Sequence, residues 1–159
     1  LFEELGNALD FDAYVYDKLI KVANNELVFG SQDIYDSEDN IIGYEPNLLI
    51  NATAIGFDEL DKLMMDFGGI YIPAHIDKNS NSLLYNLGFI PEESNFKLVE
   101  LANASKYQEL AKLHPYLEKC RVITDSDAHD LGHINEADNF ISCRTRSRQG
   151  VLRALAGAD

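Results

Sequence analysis

The chain has 159 residues, enough for one domain with a core of its own and no need of disulfide staples. Its 27 acidic against 13 basic residues leave a formal charge of −14, which opposes binding to a nucleic acid backbone or an anionic membrane surface unless bound cations reverse the local field. No apolar run approaches the ~20 residues of a membrane span and no charged-then-apolar leader opens the chain, so a cytoplasmic protein is expected, without membrane or duplex nucleic acid partners and with Cys120 and Cys143 as reduced thiols.

Residues Leu1 to Gly6 carry apolar side chains with no helix-start signal. Asp10 or Asp12 can cap a helix running to about Val22, because Phe11, Val15, Leu19 and Val22 recur at helical spacing. From Gln32 to Glu45, two β-rich pieces flank the polar tract Asp36-Ser37-Glu38-Asp39-Asn40 and read as a β-hairpin. The acidic cluster there lacks the central Gly and terminal Glu of a calcium loop and reads as a solvated turn.

Beyond Phe57 the rhythm changes to helix, strand, helix, strand. A helix over 58–67 stops at Gly68-Gly69, and a strand over 69–74 follows at once. A short helix or turn covers 79–87, a strand 97–101, a helix 105–113 broken by Pro115, a strand 121–124, a strand 139–142 and a closing helix 147–155. Strands alternating with helices predict parallel pairing through right-handed crossovers, hence an α/β fold. A closed (β/α)₈ barrel takes about 250 residues, so the units suggest an arc of a barrel, with an open flavodoxin-like sheet as the competing geometry.

The chemistry gathers at two strand ends. Arg121-Val122-Ile123-Thr124 runs into Asp125-Ser126-Asp127-Ala128-His129, and on an extended backbone residues two apart point to one side, so Asp127 and His129 can converge on one cation. The run Gly69 to Ala74 ends likewise on His75. A single His after a strand is more often structural than a ligand, but two at equivalent strand ends favour a site on a common rim. Imidazole with carboxylate suits zinc, manganese or iron, and such a cation acidifies bound water for hydrolysis. Lys78 shares the rim of His75 and can pair with a substrate phosphate, and Arg144 and Arg146 are further anion-binding candidates. Glu100, at the end of the strand between, is a possible addition to the donor set. His129 and His133 form His-x-x-x-His, but Asp130 stands where a zinc protease has Glu and Gly132 interrupts the helix. His114 precedes Pro115 at a helix end, a surface position. No side chain is assigned as catalytic; Ser126 lacks a His to activate it.

Pro73-Ala74-His75-Ile76-Asp77-Lys78 with Ile123-Thr124-Asp125-Ser126-Asp127-Ala128-His129 resembles the polymerase and histidinol phosphatase (PHP) superfamily of metal-dependent phosphoesterases. Leu49-Ile50-Asn51-Ala52-Thr53 and Leu87-Gly88-Phe89-Ile90-Pro91 look like one bacterial branch of it, and the likeness spans most of residues 10–142. The resemblance implies a distorted (β/α)₇ barrel with up to three metals at its C-terminal rim, and carries His75, Asp127 and His129 over as ligands. The family's opening His-x-His strand, Asp-His motif and Glu-bearing strand have no counterpart here. The resemblance therefore implies a single domain over 1–159 that is the C-terminal part of a PHP barrel with the hairpin added near 32–45. Its parent would hydrolyse a nucleotide or small phosphomonoester, whereas this portion alone would be inactive and its divalent-metal site weakly filled or empty. A non-catalytic interaction or regulatory module on the same scaffold is the other reading. Unpaired edges of such an arc predict self-association.

Overall fold

A computed structural model of the chain describes residues 1–137 and 139–157. Its backbone contacts fall into two units, one of residues Leu9–Phe57 and one that joins Leu1–Ala8 to the described residues from Asp58 onward. Helix α1 (Leu5–Lys18) runs from one into the other. It begins well before Asp10 and Asp12, and it ends at Lys18, whose carbonyl accepts the Ala54 N–H at 2.7 Å. From there residues 19–24 leave the helix, bridging at Leu19 to Thr53 and at Ala23 to Asn47 with a tight turn from Ile20 to Val22 between, which overrides the helical spacing that continues to Val22.

In the Leu9–Phe57 unit, Leu19 and Leu48 are the buried apolar side chains. After the short helix α2 (Glu26–Phe29), capped by the Asn25 side chain, come strands β1 (Asp33–Tyr35) and β2 (Ile41–Tyr44). They pair antiparallel, with a bulge between Ile34 and Tyr35. The turn between them is set by Asp36, whose carboxylate oxygen accepts the N–H groups of Glu38 (2.8 Å) and Asn40 (2.9 Å). Asp39 takes the left-handed φ of +62° that the tight reversal needs. At the hairpin's base the Gln32 amide donates to the carbonyls of Glu45 (2.9 Å) and Asn47 (2.7 Å) and accepts the Leu49 N–H (3.0 Å).

The other unit holds α3 (Leu60–Asp66), α4 (Leu83–Leu87), β3 (Leu98–Glu100), α5 (Tyr107–Leu113), β4 (Arg121–Ile123) and α6 (Arg148–Ala156). Strands β3 and β4 are parallel, and the segment between them, α5 with a 3₁₀ turn on each side, is the crossover. Ile76, Val99, Leu101 and Leu117 are fully buried around this pair. Phe96 packs on Tyr116 at 4.7 Å between ring centroids, and the Tyr116 hydroxyl donates toward the carbonyls of Ser94 and Phe96. Burial pushes that phenol up to about 12. Ser82 and Ser147 cap α4 and α6 through their hydroxyls. The guanidinium of Arg121 donates to the carbonyls of Ala154 and Leu155 at the far end of α6.

The expected partial (β/α)₇ barrel is not present. The described residues hold two sheets of two strands each, one antiparallel and one parallel, and no barrel arc. Two of the strands counted from sequence do not form. Residues 69–74 bridge Phe2 at Gly69 and otherwise touch β3 only where Glu100 N–H donates to the Pro73 carbonyl and Ile76 N–H to the Glu100 carbonyl, both at 3.0 Å. Pro73 has no N–H of its own to extend a ladder. Residues 139–142 are irregular, with Phe140 88% exposed, so the apolar pair Phe140-Ile141 covers no core. Short apolar runs carry no information about whether a neighbouring strand exists to receive them.

Candidate functional site

The parallel pair positions the site. Val99 and Leu101 anchor β3 in the core, and the carbonyl ends of β3 and β4 lead into Glu100 and the Thr124 to His129 stretch. On the opposite side of β3, the bonds from Glu100 to Pro73 and Ile76 enclose one residue more than regular parallel pairing takes, so the chain bulges at Ala74-His75. His75 consequently has φ +32°, and Asp127 has φ +49°. Non-glycine residues held in this region cost on the order of 1–3 kcal/mol each and persist only where surroundings enforce them. Two of the three proposed ligands are among them.

The structure brings the three together. Nε2 of His75 lies 3.9 Å from Oδ2 of Asp127, and Nε2 of His129 lies 3.9 Å from its Oδ1. The Lys78 ammonium is hydrogen-bonded to Oδ2 as well. That bond, reinforced by the Lys78 charge and by His75 and His129, holds the Asp127 carboxyl below the usual carboxylate range, so it is anionic at neutral pH. Burial, with the charge of Asp125 added, pushes Glu100 up; His75 opposes that shift. Glu100 therefore faces the same cluster. Thr124 and Asn139 are linked by two hydrogen bonds, at 2.9 Å between side chains and 2.6 Å to the Thr124 carbonyl, and tie the chain beyond the site to the end of β4.

As a metal site the donor chemistry is suitable: two imidazoles and a carboxylate of low pKa, with His75 Nδ1 buried and without a hydrogen-bond partner. The two 3.9 Å contacts run to different oxygens of Asp127, and both exceed the roughly 3.3 Å between neighbouring donors on a tetrahedral zinc. Among the described residues no group of three or more His, Cys, Asp or Glu side chains is placed to hold a metal ion. His75 has its side chain only 17% exposed, whereas that of His129 is 89% exposed.

The remaining candidates lie elsewhere. Arg144 is exposed in the irregular stretch before α6. His133 pairs with Asp130 at 2.7 Å on the surface, where Asp130 also caps the 3₁₀ turn Leu131–His133. Cys120 is buried against the carbonyls of Phe96 and Tyr116, and burial raises its thiol pKa. Sequence reasoning gave Asp77 no role; its carboxylate lies in the interior and accepts backbone N–H groups beyond β3, partners that nothing local in the sequence marks.

No known protein-family profile matches the chain, and no solved structure matches it. Among curated proteins it is similar to the uncharacterized protein YqxK of Bacillus subtilis (strain 168), with 31% identity over 109 residues that cover 63% of this chain and 27% of that protein. The chain thus spans about a quarter of the length of the curated relative it matches. No described helix is long and apolar enough to cross a membrane.

Proposed function

We propose that the chain carries part of the site of a divalent-metal-dependent phosphoesterase, with His75, Asp127 and His129 as its ligands. The observation that supports this most is the convergence of both imidazoles on the two oxygens of one carboxylate, from segments far apart in sequence, with strained backbone at His75 and Asp127. The PHP-like motifs around 73–78 and 123–129 favour phosphate esters, of a nucleotide or a small molecule, as the substrate class. Bound there, zinc, manganese or iron supplies Lewis-acid polarisation of a phosphoryl oxygen and an acidified water. The chain's own residues then divide the work. Asp127 would offset the cation's charge, and His75 and His129 would complete the ligand set. Lys78, paired with Asp127, would be within a side chain's reach of a phosphate held beside that site, where its ammonium would offset negative charge.

Titration of the purified chain with zinc and manganese tests the reading. Wild-type protein binds, and His75→Ala and Asp127→Asn each weaken binding by at least about 100-fold, more than loss of an outer partner would. Hydrolysis of bis(p-nitrophenyl) phosphate by a longer chain that extends beyond these residues follows the same metal dependence. Wild-type protein that binds neither metal sinks the proposal and leaves a non-catalytic interaction module in its place.

A further inference from the structure

The turn that carries His75 is held by a carboxylate the proposed chemistry does not use. Asp77 has a side chain only 2% exposed. Its Oδ1 accepts the N–H of Ala102 at 2.7 Å, its Oδ2 accepts the N–H of Asn103 at 3.1 Å, and Lys106 Nζ lies 3.5 Å from Oδ2. Ala102 and Asn103 follow β3 directly, and Asn103 caps the next turn by accepting the Ser105 N–H. On the other side, the Lys78 N–H donates to the His75 carbonyl at 3.0 Å, so the turn closes around Asp77. Between the two, Ile76 is fully buried and its N–H is bonded to the Glu100 carbonyl.

Three consecutive residues thus do three things: His75 faces Asp127, Ile76 fills the core and Asp77 clamps the loop after β3. The left-handed φ of His75 needs such a clamp, because an unstrained turn would let the backbone relax and rotate the imidazole away. We propose that Asp77 is the positioning residue of the site: through the amides of Ala102 and Asn103 it holds the His75 backbone so that the imidazole meets Asp127. As a claim about a metal site it rests on the function proposed above, but the placement of His75 is measurable without metal.

The experiment compares wild-type protein with Asp77→Ala and Asp77→Asn. NMR reads the contact between the His75 ring and the Asp127 side chain, and amide exchange at Ala102 and Asn103. In Asp77→Ala the contact is lost and both amides exchange faster, whereas the Leu101 amide, bonded to Ile123 at 3.0 Å, keeps its protection. Zinc affinity falls by about 10-fold to 100-fold, and Asp77→Asn, which keeps one acceptor oxygen, falls less. Asp77→Ala with the His75 contact and zinc affinity of wild type overturns the proposal. Should Asp77→Ala not fold, Asp77→Asn decides by the same contact: retained in full, it overturns the proposal, and weakened with Leu101 still protected, it supports it. Wild-type protein that binds no zinc defeats the metal reading alone, and the contact measurement then decides the role of Asp77.

Discussion

Two aspartates perform the same chemistry at different ranges. Asp36 in the hairpin and Asp77 beside His75 each accept two backbone N–H groups on the carboxylate, and each sits beside or near a residue at positive φ. The partners of Asp36 are two and four residues ahead; those of Asp77 are 25 and 26 residues ahead. Asp36 is partly exposed and shapes only its own turn. Asp77 is enclosed and joins two segments that both border the proposed site. The same acceptor is a local ornament of a hairpin in one place and a tertiary tie in the other, because burial removes the water that would otherwise replace its hydrogen bonds.

The comparison is broken if the two aspartates cost the same when removed. Asp77→Ala should lower global stability by about 1.5–3 kcal/mol, the range for hydrogen bonds to a charged group, read by urea unfolding. A second long-range tie sharpens the scale. Arg121→Met removes the donor to the carbonyls of Ala154 and Leu155 and should cost about 1 kcal/mol, with the last turn of α6 fraying in amide exchange. Equal loss from Arg121→Met and Asp77→Ala would mean that enclosure is not what separates them.

The same distinction governs what could be read from the sequence. Helices α3, α5 and α6, the hairpin and strands β3 and β4 lie near the expected ranges, because caps, turn residues and short periodic runs act within a few positions. Asp127 does lie near His75 and His129, but the strand-end premise that suggested it holds only for β4, since no strand precedes His75. The barrel was not legible, because it required counting runs 69–74 and 139–142 as strands. Their state depends on partners that local sequence does not reveal: Pro73 limits the first, and nothing covers Phe140 in the second. The start of α1 at Leu5 and the role of Asp77 escaped for the same reason, as neither carries a local mark of what it contacts.

The smallest effect is expected at Asp36, and it has a sign in pH. The Asn40 side chain foremost, then the backbone N–H groups of Asn40 and Glu38, stabilise its charged form and lower its pKa. A carboxyl with a folded pKa below its unfolded value contributes stability above the unfolded value, about 3.9 for Asp, and loses it as pH falls through the folded pKa. The Glu38 and Asn40 amide shifts should therefore titrate together at a midpoint below that of a free aspartate. Asp36→Ala should abolish that titration and expose both amides already at neutral pH, while the thermal midpoint of the whole chain stays closer to wild type than in Asp77→Ala. A midpoint at or above the free value would show that the turn holds its shape without the carboxylate's charge, and Asp36 would then owe its place to the φ of Asp39 and the bulge in β1 rather than to its own hydrogen bonds.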